Sequence, residues 1–491
     1  MGVLSADGGV QLEDLAKWAL ARAEGHGATY ADVRVEEVTR EVLAVHNAAF
    51  RNGGQSISRG MNVRVLVDGA WGFSAAAGWT TEAAGAAADE AVEIARASAR
   101  VQGEPVQLAP RQAVVDRYRT PIEEDPFAVE TEEKMALLLD CDARMRRYDV
   151  VGRLGRLEFV RKEKYFASSE GDSIHQAITY SGAGIAAVAA GGGDSQIRSY
   201  PHCWANGGQF ATRGYELVRE LDLPGASEQT ASEAVQLLQA EPCPSGMLDI
   251  VVDPTQLALM VHECCGHPVE LDRVLGSEAS LAGTSFLTPD MLGSYRYGSE
   301  VVNLTADATL PGGLGTFGYD DEGVRGARTP LVRGGIFNGY LTSRETASRL
   351  GQASNGTMRA DSWKHLPLVR MTNINLEPGQ GGLRDLLADT SGGLFMSTIR
   401  SWSIDDRRLN FQFGPEVAWE IAGGKLGKMY KNPTFSGITP GLWRSCDWVC
   451  GPREWNLWGF PTCGKGHPSQ SGQVAHGTAP ARFRGVKVGD V

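Results

Sequence analysis

The chain has 491 residues, 42% hydrophobic and 22% charged, enough for two or more domains that each bury a core. A formal net charge of −12, with no Lys/Arg stripe interleaved with aromatics, excludes a phosphate-binding groove and with it nucleic acid as a partner. Eight cysteines are too few for a disulfide framework, no apolar run approaches a membrane span, and the Met1–Asp7 stretch has neither the basic nor the apolar region of a secretion signal, so a reduced, cytoplasmic protein with no membrane partner is expected.

Residues 12–24 carry apolar side chains at helical spacing and stop at Gly25 and Gly27, predicting a helix. Short strands are expected at 32–36, 41–46, 62–67 and 70–75, the last two joined by the Asp68-Gly69 hairpin signal. Residues 80–99 and 130–146 read as helices, the first capped by Thr80 or Thr81. Strands follow at 156–168, 173–181 and 184–190, with Gly182-x-Gly184 read as a turn, and 210–221 reads as helical. The stretch 223–246, with its Leu-Pro-Gly and Glu-Pro-Cys-Pro segments around a short helix, marks a domain boundary. Beyond it, short strands between glycine turns dominate, apart from a motif helix and one near 342–350; the 61 glycines suit such turns. The fold class is therefore α+β. An N-terminal α+β domain over 1–225 precedes a mainly-β C-terminal domain over 240–491 that carries the metal-site helix.

That helix opens at Asp253-Pro254-Thr255-Gln256, an N-cap, a proline at the first helical position and a glutamine three residues after the cap. Leu257, Met260, Val261 and Cys264 form its buried stripe, and Gly266 with Pro268 should end it near Cys265, with His267 biased out of the α region by the proline. His262 and His267 stand five residues apart, not the four of a His-Glu-x-x-His zinc helix. An ideal helix would separate them by about 140°. A break or π-type bulge at Cys265–Gly266 would bring His267 back beside His262. A hydrolytic zinc site needs imidazole or thiolate ligands, an open coordination position and a carboxylate base, which Glu263 supplies. The local candidate for a third ligand is Cys463, beside Lys465, which could lower its thiol pKa; Cys446, Cys450, His467 and His476 are rivals. Cys264 and Cys265 fit core packing, although a closed structural zinc site drawing on them or on Cys446 and Cys450 is the competing arrangement.

Other motifs carry less. Gly459–Lys465 spaces like a phosphate loop, but Gly466 stands where Ser or Thr must hold magnesium. There is no Gly-x-Ser-x-Gly elbow, and Asp320-Asp321-Glu322 reads as an acidic turn before Gly323.

On these residues the chain resembles the TldD/PmbA family over nearly its whole length. The resemblance is carried by Tyr30-Ala31-Asp32-Val33-Arg34, the run from Gly60 to Phe73, the run from Glu90 to Ser98, and His262-Glu263-Cys264-Cys265-Gly266-His267. Asp320-Asp321-Glu322-Gly323, Arg370-Met371-Thr372-Asn373 and Cys463-Gly464-Lys465 complete it. It implies a zinc peptidase in which His262, His267 and Cys463 bind Zn2+ and Glu263 activates water. It also implies extended or unfolded peptides, or a peptide-antibiotic precursor, as substrate, and a dimer with itself or with a TldE/PmbA-like chain lacking the motif; this chain resembles the metal-competent TldD side. Gly466-His467-Pro468 and the tryptophans of 446–458 depart from the family pattern. They keep two other readings in view: a scaffold repurposed for a small-molecule amide or peptidyl intermediate, and a non-catalytic partner with a structural zinc.

Overall fold

Charged and glycine-bearing runs that break the apolar pattern prove to lie inside long strands. A computed structural model describes residues 12–489; residues 1–11, on which the reading of the N-terminus rests, and 490–491 lie outside the described residues. The segments expected at 32–36 and 41–46 are one strand, Tyr30–His46, paired along its length with Ala49–Val67 on one side and Gly152–Ser168 on the other. Its charged middle stays in the sheet because its charges are answered: Lys134 Nζ donates to Glu41 at 2.8 Å and Arg40 Nε to Glu158 at 2.7 Å. Likewise Ser173–Gly191 is one strand, and Gly182-x-Gly184 is no turn. A Cβ on Gly182 would sit 2.0 Å from the Phe210 ring, and one on Gly184 would sit 2.5 Å from the Gly208 Cα. These glycines admit a close crossing rather than a reversal.

The first eight-stranded sheet runs Ala70–Ala77, Ala49–Val67, Tyr30–His46, Gly152–Ser168, Ser173–Gly191, Val115–Arg119, with Asp194–Tyr200 and Gln209–Ala211 also pairing to Ser173–Gly191. Helices Leu12–Gly25 and Thr81–Ala99, the latter capped by Thr80 Oγ1, bury Leu15, Ala88 and Val92 against Val33 and Val63. Helices Thr131–Met145 and Leu223–Gln239 cover another part, with Leu138 and Ala231 in a core with Leu43 and Phe159. The boundary segment thus holds a 17-residue helix, longer than expected. Residues 210–221 are helical only at Glu216–Glu220, because Gln209–Ala211 is drawn into pairing with Ser181–Ala183.

The second sheet runs Gly392–Ile404, Gly246–Val252, Ala481–Val488, Phe435–Ile438, Asn410–Ala422, and Gly392–Ile404 pairs again with Asn410–Ala422, so the path closes on itself. The largest apolar core lies here, joining Val251, Leu257, Met260, Phe395, Phe413, Trp443 and Phe483. The α+β expectation holds. The hairpin of Asn456–Lys465 and Gln470–Thr478 lies beside the motif helix, tied by Thr478 Oγ1 donating to the Pro254 carbonyl at 2.8 Å. No helix among the described residues is long and apolar enough to cross a membrane.

The acidic turn Asp320-Asp321-Glu322 is buried, and it clamps the first sheet to the segments that carry Arg344 and Ala360. Asp321 accepts from Lys164 Nζ, from Arg34 Nη1 at 3.3 Å and from the Ala360 N–H at 2.7 Å; Glu322 faces Arg64 Nη1 at 3.5 Å and accepts from the Arg344 N–H at 2.7 Å. Burial alone would raise the Asp321 carboxyl, but Lys164 and Arg34 outweigh it and hold it well below the usual range. A depressed folded-state value means its contribution is complete above about pH 4 and is lost only as pH falls toward the lowered value. Asp321→Ala, which strands Lys164 and Arg34, is expected to cost about 3–5 kcal/mol in urea unfolding at pH 7. Asp140→Ala, at an exposed i,i+4 pair with Arg144, should leave the midpoint nearly unchanged; equal midpoints for the two variants would refute the clamp.

Candidate metal centre

The motif helix starts as the sequence dictates. Asp253 is extended (φ −63°, ψ 148°) and accepts from the Thr255 N–H at 2.9 Å, with Pro254 at the first helical position. Gln256 does not complete a capping box: its side chain is fully buried and neither amide atom finds a protein partner. Regular α-helix runs only over Pro254–Met260. Val261–Gly266 is a π-helical turn, and His267–Val269 a 3-10 turn. Across it the His267 N–H donates to the His262 carbonyl five residues back, so side chains that an α-helix would splay apart share one face. The two imidazole rings stand 4.8 Å apart, centre to centre, at 89°.

The device differs from a simple glycine break. Gly266 (φ −70°) and His267 (φ −64°, ψ −39°) both remain in the right-handed helical region despite Pro268. The turn is wholly buried, and its packing overrides the local bias against α before proline. Glycine is required at 266 for space, since a Cβ would meet the Met371 Sδ at 2.0 Å.

Cys463 arrives from the hairpin strand Asn456–Lys465, where pairing with Gln470–Thr478 skips register between Phe460 and Cys463. Its Sγ lies 3.7 Å from His267 Nε2. One ligand atom each from His262, His267 and Cys463 all fall within 4.8 Å of one another, the one such convergence of three or more His, Cys, Asp or Glu among the described residues. His267 Nδ1 is 2.9 Å from Glu270 Oε2, which also meets Arg273 Nε at 3.2 Å and Lys465 Nζ at 3.4 Å. His262 Nδ1 is 2.8 Å from His476 Nε2. Glu263 accepts from Arg408 Nη1 at 2.7 Å. His262, Glu263, His267, Arg408 and Cys463 line a cavity of about 270 Å³ with Trp402. Ala205, Asn206 and Thr462 also border a larger cavity of about 510 Å³ between the hairpin and the first sheet.

Burial pushes His262 down to about 4 and lowers His267, so both imidazoles are neutral near pH 7. Burial would raise the Cys463 thiol, but His267 and Arg370 reverse that and lower it; Lys465, expected to do so, is engaged by Asp272 at 2.7 Å and the Val369 carbonyl. Burial raises the other seven cysteines.

The rival donors lie elsewhere. Cys264, Cys265, Cys446 and Cys450 sit in the apolar core, with Cys265 Sγ against the Tyr297 hydroxyl at 2.9 Å, and His467 is exposed in the hairpin turn. His476 is near but touches His262 through its ring edge. Glu270 and Arg408 were not anticipated. An acid three residues after a candidate ligand histidine was a readable signal for Glu270, whereas Arg408, 145 positions from Glu263, offers none in sequence.

Residues 31–95, 124–240 and 245–490 match the models of the PmbA/TldA metallopeptidase domain 1, central domain and C-terminal domain. A metalloprotease of Methanocaldococcus jannaschii is 30% identical over 408 residues, covering 83% of this chain and 86% of its own. A Saccharolobus solfataricus protein described as a zinc metalloprotease TldD homolog is 24% identical over 247 residues, half of each chain (50% and 52%). Among solved structures, a Thermotoga maritima protein superposes with a TM-score of 0.76 (98% and 100% of the two chains) and TldE of Thermococcus kodakarensis with 0.72 (98% and 100%), both at 16% identity.

The inverted thiol order gives a test. In metal-free protein at pH 8, limiting iodoacetamide followed by peptide mass mapping should label Cys463 ahead of the other six buried cysteines, and one equivalent of zinc should suppress that label. Preferential labelling of Cys446 or Cys450, or no protection by zinc, would contradict the arrangement.

Proposed function

Because the chain belongs to the PmbA/TldD metallopeptidase family, we propose that it is a zinc-dependent peptide hydrolase acting on unfolded or extended peptides, with His262, His267 and Cys463 holding the metal and Glu263 as general base. The observation that carries this reading is the convergence of two neutral imidazoles and one thiol of lowered pKa on a cavity that also exposes a carboxylate. Two nitrogens and one sulfur suit Zn2+, and three protein donors leave the fourth tetrahedral position for water or substrate, as hydrolysis requires. A structural site would be closed by a fourth donor, and among the described residues none joins the three. When bound, zinc would supply Lewis acidity to the scissile carbonyl and to the attacking water.

The chain's own groups do the rest. Glu263, adjacent to a ligand and facing the cavity, takes the proton from the attacking water and passes it to the leaving amine. Arg408 holds that carboxylate in one orientation through its 2.7 Å hydrogen bond. Glu270 accepts from His267 Nδ1–H, leaving His267 Nε2 for the metal on the side facing Cys463. The two adjoining cavities, meeting at Thr462, give an extended peptide a path past the centre, and backbone pairing along a strand edge would make binding tolerant of sequence. The active particle is proposed to be a dimer, with a TldE/PmbA-like chain or with itself, in the cytoplasm. The departure from the family pattern at His467 lies in an exposed turn and adds no group to the cavity lining, which favours a peptide over a repurposed small-molecule substrate.

Glu263→Gln is expected to keep one zinc per chain while losing about 10²–10⁴-fold or more in turnover of an unfolded peptide. His262→Ala should lose the metal itself. Full turnover by Glu263→Gln with its metal retained would reject Glu263 as the base, and a wild-type chain purified and reconstituted without zinc would reject the metal reading.

A further inference from the structure

His476, 214 positions from His262, is fully buried on the strand Gln470–Thr478, and its two ring nitrogens have different neighbours. Nδ1 lies 3.2 Å from the Ile374 carbonyl oxygen. A carbonyl can only accept, so Nδ1 carries the proton. The other nitrogen meets an imidazole and no carboxylate that would hold a second proton on the ring, so Nε2 is an acceptor. The atom 2.8 Å from that acceptor is His262 Nδ1, which must therefore be the protonated nitrogen of His262. His262 Nε2 then keeps its lone pair, and it is the nitrogen left for the ion.

Resting on the metal reading above, we propose that His476 is a positioning residue: through the relay Ile374 carbonyl, His476, His262 it fixes the tautomer and ring orientation of a metal ligand without touching the metal. The far end of the relay is a backbone carbonyl of the strand Ile374–Leu376, beside the hairpin strand that carries His476, where Ala475 bridges to Asn373. The Phe460 ring stacks on His262 (5.2 Å, 16°) and meets His476 edge-on (4.9 Å, 78°), so both imidazoles are held in plane as well as in protonation. The two ligand histidines are thus oriented by different means, His267 by an ionised carboxylate within a cationic cluster and His262 by a neutral ring. A neutral orienter leaves the charge at the ion unaltered while settling which nitrogen faces it.

The experiment uses the full chain. Zinc affinity is measured by competition with a chromophoric chelator for wild type, His476→Phe and His476→Gln. Phenylalanine keeps a flat ring and removes the acceptor; glutamine carries both an acceptor and a donor. Affinity is expected to fall about 10–100-fold in His476→Phe and to be largely recovered in His476→Gln. Wild-type zinc binding with undiminished affinity in His476→Phe would overturn this inference alone, whereas a wild-type chain that binds no zinc would overturn the metal reading beneath it. Should His476→Phe fail to fold, ¹⁵N-histidine NMR of the metal-free wild type decides: Nδ1–H resonances for both His262 and His476 support the relay, and an Nε2–H tautomer at His476 refutes it.

Discussion

The hydrogen bond from the His267 N–H to the His262 carbonyl is the constraint from which the site follows. It adds one residue to a helical turn, and with it the five-residue spacing becomes a shared face. Such turns are rarer than α-helix because their hydrogen bonds and packing are poorer, so surrounding structure must hold them. Here Val261 to Val269 are all buried, with Val261, Cys264, Cys265 and Val269 in the apolar core of the second sheet. Met371 packs where any side chain at 266 would stand. The site's geometry is therefore a property of the core beneath it.

A second constraint joins segments almost two hundred positions apart. Lys465, two residues after Cys463, is buried against Asp272 and Glu270, which flank Leu271 just after the His267 turn. Burial would raise the Glu270 carboxyl, yet Lys465, His267 and Arg273 hold it well below its usual range, so it stays anionic and keeps accepting from His267. Arg370 donates to the Cys463 carbonyl from the other side. Removing any one of these charges would leave another unpaired in the interior, which ties hairpin and turn into a single unit.

Much of this was legible in the chain. Asp253-Pro254 marked a helix start because capping is local chemistry, and the His-Glu-x-x-x-His spacing called for a break or a π-type bulge because helical geometry is fixed. What escaped the sequence was non-local. Residues 37–40 read as a break because the partners that answer the charges there, Glu158 for Arg40 and Lys134 for the adjoining Glu41, come from distant segments. Gly182 and Gly184 read as a turn because the Phe210 ring and Gly208 backbone that need their space arrive some 25 residues later. Gly266 was read as a helix breaker, yet its role is steric and set by Met371. Asp320 to Glu322 read correctly as a turn, but nothing local said that Arg34, Arg64 and Lys164 would bury it.

The central claim is that the π-turn delivers two imidazoles and the hairpin one thiolate to a single ion with room for one more ligand. X-ray absorption at the zinc edge of the reconstituted protein tests it most directly. The expected spectrum fits about two nitrogens near 2.0–2.1 Å, one sulfur near 2.3 Å and one further light atom. A shell with two or more sulfurs, or with a single imidazole, would contradict the geometry.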